Sequence, residues 1–348
     1  MMKKVLAAVL TSAMALSLTA CGGGSSASTT AAPAAPAETK AAEQAASGDS
    51  GAAAGEWKPA SAVSLVLPAG AGGDTDLTAR VFAQYAKEMT GVDFVVVNAS
   101  GAAGSVAANQ VLSAAPDGCT VLFGHNLVNV ANVAGITDYN YTAFKSGPNF
   151  AKNPAQQFYV NPEMYKSMDE FIAAAKAKPG QLKACTEVGA YTYYEYLMFE
   201  KVAGVDLDLV DVGSNSDKIT AMLSKQVDCM PGAYINTKDY LEAGQFACIG
   251  APTAERYDLI KDIPTFKEQG IDMVYPDCDY SFYFPKETPD EAVQWFDDLC
   301  KEMLEKPEVI EAINNINVIP YYLSAADSEA NDAAYFAIFE EIAKSVEQ

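Results

Sequence analysis

Short apolar segments alternate with longer amphipathic segments between residues 64 and 249, and this alternation constrains the fold more than any other feature. The apolar segments are typical of buried strands, and the amphipathic segments have the spacing of helices. The predicted strands are 64–67, 94–97, 120–123, 158–160, 182–186, 207–212 and 227–230, with another helix and strand through residue 249. Strands that alternate with helices in this way predict a parallel α/β sheet.

The helical pattern continues alone beyond Pro289. The predicted helices are 77–90, one that starts in 101–104, 167–178, 192–203, 214–225, 291–305, 307–314 and 331–346. A helical stretch after a complete series of strands suggests that the chain returns to cover its first domain. We therefore predict one domain from residues 57–157 plus 281–348, and a second from residues 158–280. In such a fold a ligand binds between the domains, in loops at the carboxyl ends of strands.

The N-terminus has the form of a secretory signal peptide. Residues 1–20 contain two early lysines and then an apolar run that is shorter than the roughly 20 residues a membrane span needs. The segment that ends in Cys21 resembles the bacterial lipobox, so we expect cleavage before Cys21 and lipidation of its thiol. The alternative is an ordinary secretory signal with a cysteine near the cut. Residues 21–56 are rich in Gly, Ala, Ser and Pro, which predicts a disordered tether.

Charge and cysteine content exclude several classes of protein. The formal charge is −22, and loss of residues 1–20 removes two lysines and no acid. A surface this acidic repels nucleic acid and anionic lipid, so we expect no nucleic-acid partner and membrane contact only through the lipid. Six cysteines besides Cys21 and a single histidine, His125, form no clustered metal-binding motif, so no metal is expected. Their spacing leaves disulfides and buried thiols equally open.

Several segments, in their order along the chain, carry a family resemblance. Residues 68–76 read PAGAGGDTD and are followed by an Ala-Arg pair. Other matching segments are 101–104, 115–120, 175–180, 203–206, 226–230, 263–270, 285–289 and 306–309. Together they resemble the tripartite tricarboxylate transporter receptor family, also called the Bug family, over about residues 57–346.

The resemblance implies a periplasmic-binding-protein fold in which two α/β domains close on a small ligand. Many members are similar to carboxylate binders, and the receptor passes its ligand to a membrane transporter with a large and a small subunit. We therefore expect a monomeric, extracytoplasmic receptor that binds a small organic carboxylate, needs no cofactor and performs no chemistry. A receptor that signals through a membrane partner is an alternative that the sequence leaves open.

The glycine-rich loop is predicted to form one half of the site. Gly72 and Gly73 let the backbone approach a ligand. The free N–H groups of the following helix can then bind a carboxylate. Asp74, Thr75 and Asp76 begin that helix and are also candidate ligand-binding residues. The alternative is a tight turn in which Asp74 or Thr75 caps the helix.

Residues 186–193 occupy the position of the family's other ligand-binding turn. The candidate residues there are Glu187, Gly189, Ala190, Tyr191, Thr192 and Tyr193. Glu187 stands where members usually have Gly, Ala190 where they have Ser or Thr, and Tyr193 where they have His. Together with Asp74, these departures suggest a ligand with a carboxylate and also a cationic or aromatic part. The alternative is that Glu187 caps the helix and the tyrosines pack in the core.

Three further positions complete the candidate site. Asn126 follows the third predicted strand at its carboxyl end, whereas the neighbouring His125 is interpreted as structural. Asp228 lies in a strand, where it could orient the second loop or bond buried backbone. Tyr280 lies where members place an aromatic residue near the interdomain segment, with core packing as the alternative.

Two rival functions compete with this prediction. Asp74 and Glu187 could form the paired carboxylates of a glycosidase, but no nucleophile motif or cofactor fingerprint accompanies them, so hydrolysis is disfavoured. A binding protein of an ATP-driven transporter would share the architecture, and the ordered family segments argue against it.

Overall fold

The computed structural model describes residues 57–346, so the expected signal peptide, Cys21 and the tether lie outside the described residues. The strands of this part are β1 (Val63–Leu67), β2 (Phe94–Asn98), β3 (Thr120–Gly124), β4 (Phe144–Asn153), β5 (Gln157–Val160), β6 (Lys183–Thr186), β7 (Asp208–Asp211), β8 (Cys229–Gly232), β9 (Ala247–Gly250), β10 (Cys278–Pro285) and β11 (Ile319–Leu323). Its helices are α1 (Asp74–Thr90), α2 (Ser105–Leu112), α3 (Leu127–Val133), α4 (Met168–Ala177), α5 (Tyr191–Ala203), α6 (Asn215–Leu223), α7 (Tyr234–Glu242), α8 (Asp290–Met303), α9 (Pro307–Asn315) and α10 (Ala325–Val346).

These elements build two sheets. The first has the strand order β11-β4-β10-β3-β1-β2, and the second has the order β7-β6-β8-β5-β9. The first sheet takes its strands from residues 63–153 and 278–323, and the second from residues 157–250. The α/β class is confirmed, whereas the predicted division into two domains stays a prediction.

Both sheets are mixed, so the prediction of parallel sheets is wrong in part. β1 runs parallel to β2 and β3, and β6 runs parallel to β7 and β8. β10 is antiparallel to both β3 and β4, and β5 is antiparallel to both β8 and β9. The reason is that the chain passes between the sheets through β4, β5 and β10, where no helical crossover keeps neighbouring strands parallel.

Local sequence signals explain where several helices begin and end. The Ser167 hydroxyl accepts a hydrogen bond from the Glu170 N–H at 3.2 Å, as expected of the N-cap of α4. Gly91 and Gly204 end α1 and α5 in the left-handed conformation, at φ 73° and 63°. Ser214 and Asp217 form a capping box at the start of α6.

The cores of the two sheets are rich in aromatic rings. Phe82 of α1 packs against Phe282 of β10 with ring centroids 4.8 Å apart, under the first sheet. Phe158 of β5 lies 4.8 Å from Tyr196 and 5.1 Å from Phe199 of α5, under the second. These contacts fix α1 and α5 against their sheets, and therefore fix where the N-terminus of each helix points.

The six cysteines in the described residues have free thiols rather than disulfides, and five of them are buried while Cys248 is partly exposed. Burial raises the pKa of the Cys185 thiol to about 12, so it stays uncharged near neutral pH. In the same part of the chain, no helix is long and apolar enough to cross a membrane. No group of three or more His, Cys, Asp or Glu side chains between residues 57 and 346 is placed to hold a metal ion.

Candidate ligand-binding cleft

The glycine-rich loop after β1 leads directly into the N-terminus of α1. Gly72 has φ 80°, a left-handed conformation that favours glycine. Gly73 is the N-cap of α1 and has no side chain to bond the N–H groups of the first turn. Helix N-termini carry free N–H groups and a partial positive charge, so this end of α1 is suited to an anion.

Asp76 holds this loop in shape from behind. Its carboxylate accepts hydrogen bonds from the Gly72 N–H at 2.9 Å, from Asn98 Nδ2 at 3.0 Å, and from Arg80 Nε and Nη2 at 2.9 and 3.0 Å. Burial acts to raise the pKa of Asp76, but the hydrogen bonds from Arg80, Gly72 and Asn98 outweigh it and lower that pKa. With its acceptor sites occupied in this way, Asp76 acts on the loop rather than on the cavity.

Asp74 faces the cavity and is held there by two buried neighbours. The Tyr280 hydroxyl donates to Asp74 Oδ2 at 2.6 Å, and Asn153 Nδ2 lies 3.4 Å from the same oxygen. Asn153 Nδ2 also donates to the Tyr280 oxygen at 2.8 Å. Burial and the nearby Asp74 charge raise the pKa of Tyr280 well above its ordinary value, so the phenol remains a donor.

The second loop, after β6, leads into α5 in the same way. Gly189 has φ 78°, and Ala190 is an N-cap without a side-chain hydrogen bond. The Thr186 and Thr192 hydroxyls lie 2.7 Å apart and brace the two ends of the loop. Glu187 Oε1 accepts a hydrogen bond from the Ala103 N–H at 3.3 Å, which links this loop to the segment before α2. A second helix N-terminus is thereby presented to the cavity.

A buried lysine from α6 stands beside the second loop. Lys218 is 8% exposed, and its Nζ donates to Thr192 Oγ1 at 3.2 Å. Burial lowers the pKa of Lys218, while the nearby Cys185, Glu187, Glu195 and Asp74 act in the opposite direction. A buried ammonium at a cavity wall is a strong local source of positive potential.

His125 lies on the first-sheet side of the cavity. Its ring packs edge to face on Tyr191 at 5.5 Å and on Tyr280 at 6.4 Å. Burial lowers the pKa of His125 although Asp74 acts to raise it, so the imidazole is neutral near pH 7. His125 Nδ1 is buried without a hydrogen-bond partner in the described residues, so the structural interpretation of this histidine is incomplete.

Both loops and Lys218 line one cavity of about 590 Å³, a size suited to a small ligand. Two further lining residues carry buried polar atoms that lack a partner in the described part of the chain, Gln156 Oε1 and Asn236 Nδ2. The remaining polar or aromatic lining residues are Ser100, Tyr191, Thr192, Ser214, Asn215, Ser216, Asp217 and Tyr240. Unpartnered polar atoms at a cavity wall are expected where a polar ligand binds.

Half of the residues predicted from sequence meet at this cavity. Those that line it are Gly72, Gly73, Asp74, Glu187, Ala190, Tyr191 and Thr192. Those that do not are Thr75, Asp76, Asn126, Gly189, Tyr193, Asp228 and Tyr280. Asp76, Gly189 and Tyr280 lie directly behind the lining and shape it.

Three of the other residues outside the lining have partners of their own. Asn126 Nδ2 donates to the Asp277 carbonyl at 3.1 Å, and Tyr193 packs edge to face on Tyr194. Asp228 accepts from the Tyr165 hydroxyl at 2.9 Å and from the Lys183 N–H at 2.8 Å. Asp228 therefore bonds backbone at the start of β6, one of the two roles considered for it.

Sequence reasoning missed the contribution of α6. Residues 214–218 follow β7 at its carboxyl end and begin a helix, as the two predicted loops do. The sequence pattern predicted them only as the start of a helix, and Ser214 caps that helix. The signal that could have found Lys218 is its place in the first turn of a helix that starts at this edge of the sheet.

Comparisons with known proteins identify relatives of this chain. The family model "Tripartite tricarboxylate transporter family receptor" matches residues 78–341, which begin just after the glycine-rich loop. The Cupriavidus necator protein named "UPF0065 protein in gbd 5'region" is 28% identical over 276 residues, covering 77% of this chain and 82% of that protein.

Two solved structures show the same fold. Rpa4515 of R. palustris with adipate has a TM-score of 0.75 at 24% identity, covering 82% of this chain and 97% of that one. MatC (Rpa3494) from Rhodopseudomonas palustris with bound malate has a TM-score of 0.72 at 22% identity, covering 82% and 100%. At these identities the likeness establishes the fold of the chain.

Proposed function

The chain belongs to the tripartite tricarboxylate transporter family of receptors, and from that premise we propose that it captures a small organic carboxylate outside the cytoplasm. The observation that carries the proposal is the meeting of two uncapped helix N-termini and one buried lysine at a single cavity. Each of these features favours an anion, and their N–H donors suit carboxylate oxygens. The adipate and malate bound by the two structural neighbours support the same ligand class.

In this proposal the ligand is captured when the two predicted domains close on each other. They are residues 57–157 plus 281–348, and residues 158–280. The cavity draws its lining from loops of both sheets, so one ligand can contact both. A ligand that contacts both halves favours the closed arrangement by the difference in its affinity for the two states. The receptor works as a monomer, and a transporter with a large and a small membrane subunit recognises its closed form. Lipidated Cys21 anchors it to the bacterial cell membrane.

The ligand also carries an amino or aromatic substituent. Asp74, Glu187 and Asp217 line the cavity against one lysine, so an ammonium group would find nearby negative charge. Tyr191 and Tyr240 supply ring surface in the same lining. An amino acid or aromatic acid would satisfy these features together with the helix N-termini.

Thermal unfolding of the protein with a panel of acids tests the proposal. The panel contains succinate, malate, adipate, citrate, glutamate and benzoate, with neutral amides of the same acids as controls. A ligand at a hundredfold excess over Kd stabilises the fold by about 2.7 kcal/mol, which corresponds to a rise in Tm of about 4 °C. A rise with one or more acids and none with their neutral amides is expected. No rise with any acid would contradict the proposal.

Transport is tested separately from binding. Deletion of the gene is expected to abolish uptake of the acid that raises Tm, and the wild-type gene restores it. Substitution of Cys21 by alanine in the restored gene is expected to release the protein from the membrane fraction. Unchanged uptake in the deletion strain would instead favour a receptor that signals.

A further inference from the structure

Lys218 is a buried lysine that forms no ion pair with any carboxylate of residues 57–346. No carboxylate oxygen within residues 57–346 lies within 4.0 Å of its Nζ, and Thr192 is its one hydrogen-bond partner there. An ammonium group has three N–H donors, so two of them have no partner. Buried lysines are ordinarily paired, because an isolated buried charge destabilises a fold.

The neighbouring ionisable groups do not fill this role. Glu195 of α5 is fully buried, and neither of its oxygens has a hydrogen-bond partner in the described part of the chain. Burial raises the pKa of Glu195 well above its ordinary value, which favours its uncharged form, although Lys218 acts to lower that pKa. The Cys185 thiol is also neutral, and the Glu187 carboxylate is bonded to the Ala103 N–H instead.

The position of Lys218 indicates that it binds a ligand group beside the first turn of α5. Its Nζ contacts Thr192, the second residue of α5, at the helix end that has no side-chain cap. The ammonium group and the free N–H groups of that first turn therefore converge on one corner of the cavity. A carboxylate placed there would accept from both, and two of its oxygen lone pairs match the two unused donors of Lys218.

We propose that Lys218 is the residue that selects the ligand by binding one of its carboxylate groups, and that this carboxylate supplies the counter-charge that Lys218 lacks among residues 57–346. This inference rests on the proposed function and adds a specificity-determining residue to it. The cavity wall on the α5 and α6 side therefore favours an anion through a charged side chain, whereas the start of α1 offers backbone N–H groups beside the carboxylate of Asp74.

The test compares Lys218→Met with Lys201→Met in the full chain. Lys201 is exposed on α5 and lies outside the cavity lining, so its substitution controls for the loss of one lysine. Lys218→Met is expected to raise the Tm of the unliganded protein, because it removes an unpaired buried charge. It is also expected to weaken binding of succinate or glutamate roughly tenfold or more, as for loss of a hydrogen bond to a charged group. Lys201→Met should do neither.

Matched ligands show whether Lys218 contacts a carboxylate. Succinate is compared with succinamate and glutamate with glutamine, since each pair differs by one carboxylate. In the wild type the dicarboxylate should bind roughly tenfold more tightly than its amide, and in Lys218→Met this preference should disappear. Equal preference in the two proteins would overturn the inference.

Two further results separate this inference from its alternatives. If Lys218 were a structural partner of Glu195, Glu195→Gln would reproduce the loss of dicarboxylate preference. The inference instead expects Glu195→Gln to keep that preference, because the amide resembles the neutral acid in shape. If both Lys218→Met and Lys218→Gln failed to fold, Lys218 would be structural and the inference would be overturned. If the wild type bound none of these acids, the proposed function itself would fail.

Discussion

The two loops that face each other across the cavity use the same backbone device but are supported differently. In each, a strand ends, a glycine takes a left-handed conformation, and a helix begins without a side-chain cap. The first loop is braced by Asp76, which is buried and accepts four hydrogen bonds. The second has the contact between the buried Thr186 and Thr192 hydroxyls at its ends, and its tip is tied by Asp211, an exposed residue that accepts from the Val188 and Gly213 N–H groups at 3.3 and 3.2 Å.

The charges beside the two loops differ as well. The first loop has the carboxylate of Asp74 at its helix N-terminus, held by Tyr280. The second has Lys218, with Thr192 as its contact. A helix N-terminus therefore gives a modest preference for anionic ligands, and the charge of the neighbouring side chain strengthens or weakens that preference. The first loop therefore acts mainly through its fixed backbone shape, whereas the second acts through the charge of Lys218.

Substitution of the buried brace should give the largest effect. Asp76→Ala leaves the Gly72 N–H without its acceptor and removes one of the two acceptors of Asn98 Nδ2, so we expect a loss of about 2 to 3 kcal/mol in the free energy of unfolding. Binding of the acid identified by thermal shift should weaken too, because the loop loses its shape. Urea denaturation and titration calorimetry measure the two effects.

Asp211→Ala is the matched control on the second loop. Its hydrogen bonds are exposed, so its loss should change the free energy of unfolding by less than about 1 kcal/mol. Equal losses in the two variants would show that the loops are supported alike, contrary to the comparison.

A substitution at Gly189 tests whether ligand binding depends on the contact of the second loop with Ile136 or on backbone strain. A Cβ at Gly189 would lie 2.7 Å from Ile136 Cδ1, at the surface where the second loop meets the segment after α3. We expect Gly189→Ala to weaken ligand binding about tenfold, because a shift of the second loop misplaces donors at the cavity. Titration calorimetry measures the change.

Gly204 provides the control for that variant. It has a similar left-handed φ of 63° at the other end of α5, with no atom within 4 Å of an added Cβ. Gly204→Ala should therefore share the loss of stability from strain, about 1 kcal/mol, and leave binding unchanged. Weakened binding in both variants would mean that strain, rather than the Ile136 contact, is responsible.

Sequence patterns predicted the elements that have simple local rules and missed those set by tertiary packing. α4 follows such rules, because Ser167 caps its start and a Pro-Gly pair at 179–180 follows its end. β4 was missed because its sequence, FKSGPNFAKN, has neither alternation nor a continuous apolar run, although most of it is buried. It is a strand because β10 and β11 pair with it. Only glycine fits at position 147, because a Cβ there would lie 2.6 Å from the ring of Phe284.

The parts of the site that are formed by backbone, namely the two loops and the helix N-termini, could be predicted from the sequence. Glycines followed by a helix indicated both loops, and acids at their starts indicated Asp74 and Glu187. The direction of a side chain was not available from the pattern, so Asp76 could not be distinguished from Asp74, although Asp76 points away from the cavity to Arg80. Lys218 could not be found because its burial depends on α5 and α6 packing together.

The pH dependence of binding should distinguish the two loops. Burial lowers the pKa of Lys218, so between that pKa and the ordinary value of 10.5 the folded state holds fewer protons than the unfolded state. In this window the unliganded protein becomes more stable as pH rises, while dicarboxylate binding weakens by up to about tenfold as Lys218 loses its charge. The measurement is a titration series from about pH 8 to about pH 10.

The series begins at about pH 8 so that two buried acids do not titrate within it. Burial raises the pKa of both Asp279 and Asp332 to about 7, so their titration is largely complete before the series begins. Lys218→Met is the control, and both trends should vanish in it. A pH-dependent loss of binding that Lys218→Met preserves would contradict the electrostatic role given to the second loop.

The smallest effect is expected from removing the acid of the first loop. Asp74→Asn keeps an oxygen that can accept from the Tyr280 hydroxyl and removes one negative charge from the cavity wall. A plain dicarboxylate such as succinate should then bind about twofold to fivefold more tightly, because repulsion across a partly screened distance is lost. Glutamate should respond in the opposite direction if its ammonium group lies beside Asp74, and Glu187→Gln serves as the matched variant on the second loop. Tighter binding of both ligands in Asp74→Asn would place the ammonium elsewhere, and no change for either would mean that Asp74 serves only to position Tyr280.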